Sequence, residues 1–212
     1  MKKLVILLHG YGSDGNDLKG LGEFWAGSLP GLRYASPNAP QLCEAGMGYQ
    51  WFSLADITPE NRQQRLSDAR RAVDQILTTI MQQHDIDAAQ DQIVLVGFSQ
   101  GTMIALDILL RSQYNVIGLV GFSGRLIEAP TQAPTTTAEV LLVHGEADEV
   151  VPAQETLNAQ AVLNQLGISC QVMIEPELVH TISAAGVEAA TQFLIERFGW
   201  EDEDEDEEEE DM

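Results

Sequence analysis

Ile93-Val94-Leu95-Val96-Gly97-Phe98-Ser99-Gln100-Gly101 is the stretch on which the fold turns. Its first residues form a short apolar run rich in β-branched side chains, the pattern of a buried strand, and the residues from Gly101 to Arg111 have helical spacing. Between them Gly97, Ser99 and Gly101 make a G-x-S-x-G pattern at a strand-to-helix junction. A serine at such a sharp turn is held in a strained backbone conformation, and glycines two before and two after it remove side chains that would collide. Ser99 is therefore read as a nucleophile rather than an ordinary turn serine.

Outward from that junction, further apolar runs at Leu4–Leu8, Val116–Phe122, Val140–Val143 and Cys170–Ile174, with a weaker one at Leu32–Ala35, predict strands. Helical spacing covers Arg62–Gln83, Ala153–Leu166 and Ser183–Phe198. In the first of these the charged Arg62, Arg65, Asp68, Arg71 and Asp74 fall between the apolar positions and read as a solvated face. Strands alternating with helices predict an α/β fold, a mainly parallel central sheet with helices on both faces. Ligands in such sheets bind beyond the carboxyl ends of the strands. The segment Pro37–Glu60 shows no period and carries Pro37, Pro40, Gly46, Gly48 and Pro59, so it reads as a long loop of functional interest. Its Trp51 and Phe52 either wall a substrate pocket or plug the loop onto the core. Pro130–Thr137 is a structural connector.

A serine hydroxyl needs a base to take its proton. Of the four histidines, His9 and His144 directly follow strands and precede glycine, as expected of residues bonded within their own loops, and His84 lies among polar residues at a helix end. His180, between the last strand and the last helix, is where this topology delivers a base to the sheet's active edge. The loop His144–Pro152 offers three carboxylates, Glu146, Asp148 and Glu149, to orient that imidazole. Acyl transfer also needs donors for a developing oxyanion, expected from the backbone N–H of Gln100 and, in the loop after the first strand, of Tyr11. The glycines near Gly10 do not match a dinucleotide or P-loop spacing.

With 212 residues, 44% of them hydrophobic, the chain fits one domain, residues 1–200, followed by a tail, residues 201–212. Glu201–Asp211 is a run of eleven acidic residues that carries half of the net charge of −22. Such a run repels itself and offers no apolar surface, so it is expected to be disordered and dispensable for catalysis. The acidic body argues against nucleic acid and against stable anchoring to anionic membranes. Cys43 and Cys170 have neither metal nor disulfide spacing, and no metal site is expected. The apolar run after Lys2-Lys3 ends at His9-Gly10, too short for a signal peptide, and no stretch is long enough to span a bilayer, so a cytoplasmic location is expected.

Leu8-His9-Gly10-Tyr11-Gly12, Gln50-Trp51-Phe52, Gly97–Gly101, His144–Pro152 and the late His180 together resemble the phospholipase/carboxylesterase family, which includes acyl-protein thioesterases and small bacterial carboxylesterases. The resemblance runs from residue 2 to 198. It implies an α/β-hydrolase fold with no large cap domain, no cofactor, and hydrolysis of a small-molecule ester or thioester. It places nucleophile, acid and base at Ser99, Asp148 and His180, choosing Asp148 among the three carboxylates, with oxyanion donors at Tyr11 and Gln100 and Trp51 near the site. Thr102 stands where many members have glycine, as does Val179. The alternatives left open are a lysophospholipase or acyl-protein thioesterase and, in a different class, a binding module without catalysis. A homodimer is compatible with the sequence.

Overall fold

Six parallel strands make the main sheet of the computed structural model, which describes residues 1–111 and 113–200; the expectations for the tail fall on residues outside these. They are β1 (Lys3–Leu8), β2 (Leu32–Ala35), β5 (Gln92–Phe98), β6 (Val116–Phe122), β7 (Glu139–Gly145) and β8 (Cys170–Glu175), in the order β2-β1-β5-β6-β7-β8. Each coincides with a predicted apolar run to within two residues at either end. Side chains alternate between two buried faces. Leu4, Ile6, Ile93 and Leu95 face a layer built from α2 (Pro59–Gln83), α3 (Gln100–Arg111) and α4 (Gln154–Gln165). Val5, Leu7, Val94 and Val96 face α1 (Gly15–Ser28) and α5 (Ala184–Phe198).

The helices begin where side chains can satisfy their free N–H groups. Thr58 and Asn61 form a reciprocal capping box on α2 with Pro59 inside its first turn, and the Ser183 hydroxyl accepts from Gly186 N–H at the start of α5. Helix α1 is an element that apolar periodicity does not reveal, because four of its residues are glycine and glycine disfavours helix. Tertiary contact explains two of them. A Cβ on Gly22 would lie 2.3 Å from the Tyr34 ring, and one on Gly15 would lie 2.2 Å from the Ser36 carbonyl oxygen.

The Pro37–Glu60 segment is not entirely irregular. It holds an antiparallel pair, β3 (Gln41–Leu42) with β4 (Tyr49–Gln50), too short to leave a period in the sequence. The charged face of α2 also differs from the solvated stripe expected of it. Asp74 pairs with Arg111 at 2.8 Å, and the intervening Arg70 bridges Asp107 and Glu128, both at 2.7 Å, because α3 and the chain after β6 pack beside this face.

β1 pairs with β2 on one side and β5 on the other, so the connections leaving β1 and β5 diverge and open a crevice at their carboxyl ends. No helix among the described residues is long and apolar enough to cross a membrane.

Candidate active site

Ser99 sits at the crest of the β5–α3 turn with φ +54°. The turn is possible only because its flanks lack side chains: a Cβ on Gly97 would lie 2.5 Å from Thr102 N, and one on Gly101 would lie 1.9 Å from Leu8 O. The Ser99 N–H donates to Phe122 O at 2.9 Å, which ties the strained residue to the next strand. Thr102 is accommodated by other glycines. Its hydroxyl donates to Phe122 O at 2.8 Å, and its methyl occupies the space that side chains on Gly121 and Gly124 would need.

The chain between β8 and α5 brings His180 over this turn. Its Nε2 lies 3.0 Å from Ser99 Oγ and its Nδ1 2.7 Å from Asp148 Oδ2, while the ring rests against Phe98 at a centroid distance of 4.9 Å. Asp148 is aimed by its own loop: Oδ1 accepts the N–H groups of Val150 and Val151, both at 2.8 Å, and the side chain is closed off from solvent. Burial works to raise its carboxyl, but the His180 hydrogen bond and these two N–H donors outweigh it, and the carboxyl sits below its ordinary value. Glu146 and Glu149, the other two carboxylates of the loop, are exposed.

The remaining histidines have other employment. His9 is buried, with Nδ1 at 2.7 Å from Gly10 O and Nε2 accepting Ala39 N–H at 2.9 Å; burial holds its imidazole below the ordinary value. His144 lies against Thr156 and Val151, and its Nε2 is also 3.2 Å from Asp148 Oδ2. His84 ends α2 and is half-buried rather than fully solvated.

A cavity of about 390 Å³ opens on Ser99 and His180, with Gly10, Tyr11 and Gln100 on its rim. The Gln100 N–H occupies the first position of α3, one of the four that a helix leaves without an internal partner. The Tyr11 N–H lies in the β1–α1 loop opposite. The Tyr11 hydroxyl bonds Glu44 at 3.2 Å, and burial, then Cys43 and Glu44, push it above its ordinary value.

Phe52 lines the cavity, but Trp51 does not. Trp51 is fully buried, its ring beside His9 and its indole N–H donating to His9 O at 2.8 Å, so it plugs the loop onto the core and is no wall of the pocket. The side chain of Gln100, expected only as a backbone donor, and Glu44, which sequence reading overlooked, organise this region. The buried side chain of Gln100 accepts Trp51 N–H and donates to Phe52 O, both at 2.8 Å. Glu44 accepts from the Ser53 hydroxyl and from Leu54 and Ala55 N–H, and these bonds hold its carboxyl at about 2. Neither contact has a local sequence signature, since each joins segments distant in the chain or in an aperiodic loop. Arg62, expected in solvent, also lies on the cavity wall.

The family model described as Phospholipase/Carboxylesterase matches residues 1–197. Esterase YpfH of Escherichia coli (strain K12) is 27% identical, covering 91% of this chain and 82% of its own. A relative from Oryza sativa subsp. japonica, named a probable inactive carboxylesterase, is 28% identical over 85% of this chain and 78% of its own. The crystal structure of esterase PE8 superposes with a TM-score of 0.84 at 38% identity, covering 92% of each chain.

Proposed function

The chain belongs to the phospholipase/carboxylesterase family, and from that premise we propose that it is a serine carboxylesterase in which Ser99, His180 and Asp148 form a catalytic triad. The observation that carries the reading is the continuous relay from Ser99 Oγ through His180 to the buried Asp148 carboxylate, at 3.0 and 2.7 Å, opening on a cavity.

In this mechanism Ser99 Oγ attacks the ester carbonyl carbon while His180 Nε2 takes its proton. Asp148 accepts the Nδ1–H, fixes the tautomer that leaves Nε2 free, and stabilises the imidazolium. The carbonyl oxygen becomes an oxyanion facing the N–H groups of Tyr11 and Gln100, an interaction worth about 3 kcal/mol per donor. Collapse of the adduct breaks the bond to the leaving alcohol, which receives the proton from His180, and leaves the acyl group on Ser99. A water molecule, deprotonated by His180, then releases the acid and restores the serine.

A fluorophosphonate probe tests this directly. Intact protein is expected to gain one phosphonyl adduct on Ser99, and the Ser99→Ala variant none. An unlabelled wild type would favour the non-catalytic binding module. The cavity's apolar lining by Phe52, Leu54, Ile57 and Met103 also supports longer acyl groups of the lysophospholipase or thioesterase type. Turnover of p-nitrophenyl esters of increasing chain length, beside matched thioesters, separates these readings.

A further inference from the structure

The cavity is electrically lopsided. On the side of α1 and α5 it is bounded by Asp17, Phe98 and His180. Toward α2, α3 and α4 the lining is apolar Leu54, Ile57 and Met103 together with two arginines, Arg62 and Arg125. Arg125 follows β6, and its side chain is only 15% exposed; the carboxylate it meets is Glu155, at 3.4 Å on the first turn of α4. Arg62 forms no ion pair among the described residues, although Glu60 senses its charge. The two guanidinium groups are close enough to repel. Burial, reinforced by Arg62 and opposed by Glu155, pulls Arg125 below its ordinary value. Two cations facing one carboxylate at a half-buried wall leave positive charge unbalanced in a protein whose net charge is −22. An arginine fork pairs well with a carboxylate or a phosphate oxygen.

Orientation follows from the proton path. The leaving oxygen must receive its proton from His180, so the alcohol limb lies on the α1/α5 side, beside Asp17. The acyl limb lies along the apolar lining. Resting on the esterase reading above, we propose that the preferred substrate is an ester whose acyl limb ends in an anionic oxyacid group, a carboxylate or a phosphate, held by Arg62 and Arg125. These arginines are specificity residues and take no part in bond making.

Four esters test the proposal through kcat/KM: p-nitrophenyl hemiadipate, p-nitrophenyl 5-phosphonopentanoate, the neutral methyl p-nitrophenyl adipate and, with its charge on the alcohol limb, 4-carboxyphenyl hexanoate. The carboxylate or the phosphonate substrate is expected to exceed the neutral diester about tenfold, the scale of one charge-assisted hydrogen bond, and the larger of the two identifies the anion. The anionic-to-neutral ratio should collapse in Arg62→Gln and Arg125→Gln and invert in Arg125→Glu. A wild-type preference for the neutral diester, or a ratio that survives in both glutamine variants, overturns the proposal. A preference for the anion on the alcohol limb overturns the assigned orientation. Calorimetric binding of monomethyl adipate against dimethyl adipate to Ser99→Ala reads the same selectivity without turnover. Selective binding by a wild type that cleaves no ester would sink the esterase reading and with it the substrate assignment, leaving Arg62 and Arg125 as an anion-binding pair, and cleavage without selectivity in either measurement would overturn this proposal alone.

Discussion

His144 and His180 approach the same oxygen of Asp148, at 3.2 and 2.7 Å, and differ in what surrounds the rest of each ring. His144 has no exposure. Its Nε2 points to Val151 O at 2.8 Å and its Nδ1 to the Thr156 hydroxyl at 2.7 Å, so both ring nitrogens face groups of the fold rather than the cavity. His180 spends one nitrogen on the carboxylate and presents the other to Ser99 at the cavity, with 19% of its side chain exposed. Nearness to a carboxylate therefore does not make a histidine a base. In the proposed mechanism the base is the histidine whose second nitrogen faces both Ser99 and the cavity.

The contrast breaks first at His180. His180→Gln is expected to lower kcat on p-nitrophenyl butyrate by on the order of 10⁴-fold or more, with little change in the thermal melt. Retention of even a hundredth of the wild-type rate would mean that another group serves as base. Asp148→Asn comes next, at about 10⁴-fold, because the amide favours the wrong imidazole tautomer. The new NH₂ group would also face ring nitrogens of both histidines, so urea denaturation should show a loss of about 1–3 kcal/mol as well.

His144→Phe sharpens the comparison by moving the other quantity. It strands the Thr156 hydroxyl and Val151 carbonyl, and about 2 kcal/mol of stability should be lost while kcat changes less than about tenfold. A His144 variant as inactive as His180→Gln would erase the distinction.

The smallest effect is in the pH dependence of stability. Asp148 is depressed, so its contribution is complete above the ordinary value of 3.8 and disappears as pH falls through its folded value. His9 and His84 are depressed by burial from 6.5, so their contribution is complete above 6.5 and declines as pH falls below it. Urea titrations at pH 7, 6 and 5 should show stability falling by up to about 1.4 kcal/mol per pH unit for each proton taken up. His9→Gln should flatten that slope, and an unchanged slope would show that His9 does not resist protonation.

What was legible in the sequence was local or topological. The turn at Ser99 demands glycine at fixed offsets, and those offsets are visible. His180 stands out because of where the chain returns to the sheet. The three carboxylates of the β7 loop could not be ranked by their own pattern; Asp148 is distinguished by the Val150 and Val151 N–H groups that turn it inward, a property of the folded loop. Helix α1 was hidden because glycines placed for contact with Tyr34 and Ser36 look like breaks. Trp51 could be either pocket wall or core plug because a large aromatic side chain in a loop carries no mark of which way it points, and Arg62 reads as surface because helical spacing cannot show what packs against a helix from elsewhere.

Gln100, whose N–H is an oxyanion donor in the proposed mechanism, also fastens the 51–52 loop through its side-chain amide. The reactive turn and the pocket wall therefore share a joint. Swinging the loop outward to admit a bulkier ester would break that joint and tilt the first turn of α3, misdirecting the donor on which the rate depends. Selection, natural or in the laboratory, can widen the substrate range at modest catalytic cost by trimming side chains such as Phe52 or Met103. Remodelling the loop backbone would trade speed for breadth.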